Sequence, residues 1–336
     1  MKILIIHTFG MGDLLMFTPV LEAIKKNFPR SQVDFLFYIR NNEKIIKNFS
    51  NTNKIYFTNR KIINFLKVAK ELRKEKYDIS IVTSGVKPIK GILSSILIGA
   101  NIQCGEIKWI KGKYKYFIKK EENLHRLEAN LKLVEKLIEI NDIEKKYRYY
   151  LAESNLKKAE IFYKKNKIGI EREVLGIHPG CSKGASYRRW PAKYYLNLIL
   201  SMGQKIDIII FIGPDEEELG DYFQKNLISE KKVWICREKN ISDVAAIISK
   251  CNYFFNSDSG LGHIAGAFNL KRIYTIFGPE NFYKTKVYNA NTKIICINNK
   301  EKNYYKEIDK NGILKCLSEI KPKEVYNILK KDIKEL

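Results

Sequence analysis

Short apolar runs recur along this chain, each closed by a glycine or polar turn and followed by a stretch with helical spacing. Runs at Ile3–His7, Val33–Tyr38, Ile55–Phe57 and Ile79–Thr83 read as buried strands. Helices are expected over Thr18–Asn27, where Pro19 suits the first turn, over Ile62–Lys74, and over Leu124–Ile138 with its apolar residues in helical register. A charged helical stretch, Ser154–Lys165, leads to a polar junction at Asn166–Glu173, and the pattern then starts again. Val174–His178, Ile206–Ile212, Val233–Cys236, Tyr253–Asn256, Ile273–Phe277 and Ile294–Ile297 are the second set of strands, with helices such as Ala192–Ser201 and Ser242–Lys250 between them. Strands alternating with helices build parallel sheets covered on both faces, and 336 residues are enough for two such domains. The expected division is 1–165, then 174–320, with a C-terminal helix over 321–336. Ligands of such folds bind at the carboxyl ends of the strands, so a cleft between two facing sheets is the expected site.

Composition narrows the function classes. No apolar run approaches the ~20 residues of a membrane span. Met1–His7 is too short for a signal peptide and reads as the first strand, so a cytoplasmic protein is expected. Six cysteines and four histidines are scattered without metal-ligand or disulfide spacing, which argues against a zinc site or a disulfide framework. The net charge is +24, from 61 basic and 37 acidic residues, and only eleven of the basic residues are Arg. Such an excess favours acidic partners: nucleic acid, an anionic membrane surface or a phosphorylated substrate.

Three clusters carry candidate chemistry. The first is Phe9-Gly10-Met11-Gly12-Asp13, directly after the first strand. It lacks the third glycine of a dinucleotide-binding turn, Leu15 standing in its place, so a dinucleotide cofactor is disfavoured. Asp13 either caps the following helix or, if that helix begins at Thr18, stands ahead of it as a free carboxylate; spacing leaves both open. The second cluster runs from His178-Pro179-Gly180-Cys181-Ser182 to Arg188-Arg189-Trp190-Pro191. A glycine- and hydroxyl-rich turn can offer N–H groups to phosphate, and a guanidinium fork matches phosphate oxygens. Its bland alternative is a solvated loop with Trp190 and Pro191 packed on the domain. The third is Asp258-Ser259-Gly260-Leu261-Gly262-His263, a strand end opening a helix, where Asp258 or Ser259 could equally be an N-cap and His263 a core residue. A basic-aromatic stretch, Lys108–Phe117, suits a membrane interface, an anionic lipid acceptor or stacking on bases, with an exposed β-hairpin turning at Gly112 as the plainer reading.

Taken in order, these pieces resemble glycosyltransferase family 9, the lipopolysaccharide heptosyltransferases. The matching residues are Lys2–Ile6 leading to Gly12-Asp13 and Thr18-Pro19, then His178-Pro179-Gly180, Arg189-Trp190-Pro191, Phe211-Ile212-Gly213, Asp258-Ser259-Gly260 with His263, and Phe277-Gly278-Pro279. The resemblance implies a GT-B fold of two Rossmann-like doubly wound domains. It also implies an inverting, metal-independent transfer of heptose, from its ADP form, onto the lipopolysaccharide inner core, with no resident cofactor. It assigns Asp13 as general base, and Ser182, Arg188, Asp258, Ser259, Gly260 and His263 to the donor. Gly12, with Lys111 and Lys113 of the basic-aromatic stretch, is expected on the acceptor side. The implied partners are the nucleotide sugar, an anionic lipid-linked saccharide and the inner face of the cytoplasmic membrane, with no specific nucleic acid. The sequence departs from the family pattern at His7, where members often carry Arg, and at Leu261, where a proline is usual. Competing readings are a sugar-nucleotide epimerase of the same architecture and a basic nucleic-acid-binding module, for which the binding motifs are missing.

Overall fold

The computed structural model describes all residues except 60, 86–95, 108–115, 120, 122, 136, 298–303 and 335; at 107, 116–119 and 304 it describes the backbone alone. Two compact units divide the chain: Met1–Tyr150 with Tyr283–Tyr288, and Leu151–Phe282 with Asn289–Leu336.

The first unit runs β1 (Lys2–His7), α1 (Met11–Leu15), α2 (Thr18–Asn27), β2 (Gln32–Phe37), α3 (Glu43–Ile46), β3 (Thr52–Phe57), α4 (Ile62–Lys74), β4 (Ile79–Val82), β5 (Ile102–Ile107), β6 (Tyr116–Lys119) and α5 (Arg126–Val134). The strands form one sheet in the order β3-β2-β1-β4-β5-β6, and every pairing is parallel. Ile3 to Ile6 are all buried, as in a strand covered on both faces. Helix α4 turns Phe65, Ala69 and Leu72 inward at helical spacing, where they meet Leu4, Ile6 and Leu36.

The second unit opens with α6 (Glu153–Asn166) and continues β7 (Val174–His178), a 3₁₀ turn over Lys183–Arg188, α7 (Ala192–Met202), β8 (Asp207–Phe211), α8 (Glu217–Asn226), β9 (Val233–Cys236), α9 (Ile241–Ser249), β10 (Tyr253–Ser257), α10 (Gly260–Gly266), β11 (Arg272–Ile276), β12 (Thr292–Ile295), α11 (Lys315–Ser318) and α12 (Pro322–Lys330). Its sheet is again all parallel, in the order β12-β11-β10-β7-β8-β9. Counted from the first strand of each unit, the two sheets share one topology. In each, the strand order reverses beside the first strand: between β1 and β4, and between β7 and β10. Doubly wound sheets bind ligands at that switch point.

Two boundaries differ from the sequence reading. Helix α6 belongs to the second unit, not to a domain ending at 165, because it docks on α9. Asn155 donates to Asp243 at 2.7 Å, Lys158 pairs with the same carboxylate at 2.6 Å, and the Tyr163 hydroxyl reaches Ile247 O at 3.1 Å. The segment 321–336 is likewise part of that unit: Val325, Leu329, Ile333 and Leu336 are fully or nearly fully buried in its core, and the Trp190 indole donates to Ile320 O. The hairpin expected over Lys108–Phe117 falls almost wholly outside the described residues; the strands on either side of it, β5 and β6, pair in parallel, Cys104 opposite Tyr116. Gly112, Lys111 and Lys113 lie outside the described residues. Among the described residues no helix is long and apolar enough to cross a membrane.

Candidate active site

In the first unit the site grows from the turn after β1. His7 is buried, with Nδ1 3.0 Å from Thr83 Oγ1 and Nε2 3.2 Å from Gly10 O. Burial, helped by nearby Arg126, pushes its pKa down to about 4, so the ring is neutral at physiological pH. A carbonyl only accepts, so Nε2 carries the proton and Nδ1 accepts from the Thr83 hydroxyl. The histidine thereby pins the glycine turn to the end of β4, across the switch point.

Asp13 lies inside α1, a separate short helix, and not ahead of the first helix as a start at Thr18 would require. It caps nothing. The N-cap residues of α1 and α2 are Gly10 and Phe17, and neither makes a side-chain cap bond. Its Oδ1 is instead engaged by Arg126 Nη1, from the first residue of α5. Arg126 is held from several sides. Its guanidinium lies 5.2 Å from the Phe9 ring centroid. A Cβ on Gly85 would come within 3.1 Å of Arg126 Cζ, and Gly85 has φ +87°, so glycine is required there by both conformation and space. The α5 start is fixed by His125, whose Nδ1 accepts from Leu127 N–H while Nε2 donates to Lys286 O. Asn130 on the same helix accepts from Ser84 N–H at 2.8 Å and donates to Met16 O at 3.3 Å, which ties α1 to the end of β4. Gly12 sits one residue before Asp13 in α1.

In the second unit the corresponding edge is assembled around β7 and β10. His178 closes β7 and is buried; Nδ1 is 2.8 Å from Ser259 Oγ and Nε2 is 3.2 Å from Glu216 Oε2. Ser259 stands at the N-cap position of α10 yet makes no cap bond, because its hydroxyl is spent on His178. Glu216 also accepts from Gly213 N–H at 2.7 Å and lies 3.7 Å from Arg189. Burial works against its charge, but His178, Gly213 and Arg189 together hold its pKa below the ordinary carboxylate value. A Cβ on Gly180 would fall about 2 Å from this carboxylate, which explains the glycine in His178-Pro179-Gly180. Gly262 is constrained in the same way by Asn256.

Arg188, at the end of the 3₁₀ turn, reaches two carboxylates: Asp258 Oδ2 at 3.1 Å and Glu280 Oε1 at 2.9 Å. Tyr187 donates to the same Glu280 oxygen at 2.8 Å, and its ring centroid lies 5.6 Å from the guanidinium. Arg189 turns the other way and donates to Cys181 O at 2.6 Å. Trp190 is buried, so the loop from His178 to Pro191 is neither wholly solvated nor wholly packed. Ser182 is exposed at the start of the 3₁₀ turn, and Gly260 and His263 lie on α10 with His263 buried. The structure thus gathers Arg188, Asp258, Ser259 and Gly260 at one sheet edge and leaves Ser182 at its solvent side. Among the described residues no group of three or more His, Cys, Asp or Glu side chains could hold a metal ion.

Residues 65–315 match the family described as glycosyltransferase family 9 (heptosyltransferase). The chain belongs to that family. This glycosyltransferase is 27% identical over 348 residues to lipooligosaccharide heptosyltransferase 2 of Campylobacter jejuni serotype O:6, covering 98% of its own length and 99% of the relative. Its fold is that of a family 9 glycosyl transferase from Veillonella parvula, with a TM-score of 0.78 at 20% identity, covering 100% and 97% of the two chains. The ADP-heptose lipopolysaccharide heptosyltransferase II of E. coli superposes with a TM-score of 0.75 at 19% identity over 98% of each chain. The two parallel-sheet α/β domains are therefore of GT-B type, and the epimerase reading is not favoured.

Sequence reasoning missed Arg126, Glu216 and Glu280. Arg126 carried the same signal that drew attention to Arg188 and Arg189, an arginine in a chain that otherwise prefers lysine. The two glutamates gave none, because partners 38 and 92 residues away are brought to them only by the fold.

Proposed function

We propose that this glycosyltransferase is an inverting heptosyltransferase, moving heptose from ADP-heptose to an anionic, lipid-linked saccharide of the inner core at the inner face of the cytoplasmic membrane. Family membership and relatives named as heptosyltransferases support the class of reaction. The observation that carries the assignment of residues is Asp13, a carboxylate at the switch point of the first sheet that caps no helix and is oriented by Arg126.

In this reading the acceptor hydroxyl attacks the anomeric carbon of the donor from the face opposite the nucleotide. Its proton passes to Asp13, and Arg126 fixes the carboxylate while balancing its charge. The bond between the anomeric carbon and the diphosphate oxygen breaks, and the departing ADP takes the electron pair. Arg188 meets the charge on that diphosphate, leaving at least one of its present carboxylate partners to do so. Ser182, Ser259, Gly260 and His263 complete the donor site, and Gly12 lies beside the base. The reaction so written needs no resident cofactor and no metal ion.

The test is Asp13→Asn. A general base contributes about 10²–10⁴-fold, so turnover, followed as ADP release with acceptor present, falls by that factor while donor affinity stays near wild type. Wild-type turnover in this variant would remove Asp13 from the role. The donor is identified by a thermal-shift series of ADP-, UDP- and GDP-sugars, since a ligand at 100 times its Kd stabilises the fold by about 2.7 kcal/mol. Conversion of the donor with acceptor omitted would overturn the transferase reading altogether.

A further inference from the structure

Helix α4 presents two faces of opposite kind. Phe65, Ala69 and Leu72 are buried in the first unit, whereas Ile62 and Ile63 are each 65% exposed and Leu66 is 46% exposed. The three aliphatic side chains fall in the first five residues of the helix. Beyond them the exposed positions are Lys67, Lys70, Arg73 and Lys74, against one acidic residue, Glu71, and Lys61 precedes the helix. Ile63, Lys67, Lys70 and Lys74 follow helical spacing down one side, so the apolar end and the cations share a surface. Isolated exposed aliphatics are ordinary, but three within one turn, backed by lysines, are a built feature.

The location adds to this. All strands of the first sheet are parallel, so α4 begins at the carboxyl edge, the edge that carries Asp13. One strand over, Ile39 is 42% exposed after β2, and Arg40 lies 4.8 Å from the centroid of Phe57, the last residue of β3. Aliphatic and cationic residues thus come together at the ends of two neighbouring strands.

We infer that the first turn of α4, with Lys61, Lys67 and Lys70, is a docking surface for an anionic lipid bilayer. Its other side is committed to the core, so the helix cannot lie full length in the interface. It enters by its tip, Ile62, Ile63 and Leu66 reaching the acyl boundary while the lysines stay among the phosphates. A protein partner of ordinary composition would offer no matching excess of negative charge along that flank; an anionic leaflet does, at about fivefold in affinity per lysine or arginine near the surface. The consequence for the reaction rests on the function proposed above: the edge that carries the base is the edge held against the membrane where a lipid-borne acceptor resides.

The experiment is sedimentation of the full chain with vesicles of mixed phosphatidylglycerol and phosphatidylcholine, and with vesicles of phosphatidylcholine alone. The wild-type chain is expected to bind the mixed vesicles and to favour them strongly over neutral ones. The triple variant Ile62→Ser, Ile63→Ser, Leu66→Ser should lose on the order of tenfold or more in partitioning, with an unchanged melting temperature because the three side chains are exposed. Lys67→Glu with Lys70→Glu should abolish the preference for anionic lipid. Wild-type binding by the triple variant, no vesicle binding by the wild type, or a concentration-dependent self-association removed by the triple variant would each overturn the inference. Transfer to a delipidated, soluble acceptor separates the two claims: it persists in the triple variant if only the surface is impaired, and it is absent in every form if the proposed reaction is wrong.

Discussion

Both units of this glycosyltransferase set an aspartate–arginine pair at the carboxyl edge of a sheet, beside its switch point, and they build it in opposite senses. In the first unit one carboxylate, Asp13, has one arginine, and that arginine is wedged against Gly85 and the Phe9 ring. In the second, one arginine, Arg188, is shared by two carboxylates, Asp258 and Glu280. In the first the cation is packed as support, and in the proposed reaction the carboxylate is the working group. The second sets two carboxylates on one guanidinium, so a diphosphate bound there as proposed would take the place of a carboxylate already present. In the proposed reaction, one topology used twice supplies a base in one unit and an anion site in the other.

The comparison is broken most severely by exchanging the losses. Asp13→Asn should reduce kcat by about 10²–10⁴-fold with little change in donor Kd. Arg188→Met should instead weaken donor binding by roughly 10- to 100-fold, the worth of about 1.5–3 kcal/mol for hydrogen bonds to a charged group. Steady-state kinetics with titration calorimetry reads both quantities. If the two variants shifted the same parameter, the division of labour between the units would fail.

A second test asks what holds each edge together. Glu216→Ala removes a buried carboxylate from His178, Gly213 and Arg189, and breaking such a cluster costs about 3–5 kcal/mol. Urea unfolding should show that loss, while Glu216→Gln, which keeps the shape and one acceptor, loses less. The counterpart in the first unit is His7. Its folded pKa of about 4 lies below the unfolded value of 6.5. Below pH 6.5 the unfolded chain therefore takes up a proton that the folded chain refuses, and stability falls as the pH drops from 6.5 towards 4. The full effect is about 3 kcal/mol. His7→Gln should flatten that acid slope in denaturation curves taken across the window; an unchanged slope would mean that His7 is not the group responsible.

Much of this was legible in the residues themselves. Apolar runs bounded by glycine marked the central strands of both sheets, because strands buried on two faces must be continuously apolar. Strands β5 and β6 escaped because they carry Gln103, Gly105, Glu106 and Lys119 and show no such run. The extent of the charged helix α6 was visible, but its allegiance was not. What commits it to the second unit is Asp243, a partner 88 residues from Asn155. The site divides in the same way. Asp13 and Asp258 stand beside glycines at strand ends, and Arg188 is an arginine in a lysine-rich chain, so a local pattern can find them. Arg126 acts on Asp13, Glu280 on Arg188 and Glu216 on His178 and Arg189 from distant elements, and only the assembled sheets bring them together.

The smallest expected effect is the most direct probe of the second unit's two carboxylates on one guanidinium. Glu280 accepts from both Arg188 and Tyr187 and is about one-third exposed, so it is the partner of Arg188 most easily given up. Glu280→Gln keeps an acceptor for Tyr187 while removing one of the two negative charges that compete with a diphosphate. An exposed ion pair is worth only about 0.2–1 kcal/mol, so donor affinity should rise by about 1.4- to fivefold, with kcat unchanged and the gain shrinking as salt is added. Asp13→Asn combined with Glu280→Gln should show the same gain, since the two act in different units. A loss of donor affinity in Glu280→Gln would show that this carboxylate binds the donor sugar and does not compete with its phosphates, and the second unit would then hold its ligand with acid and base alike.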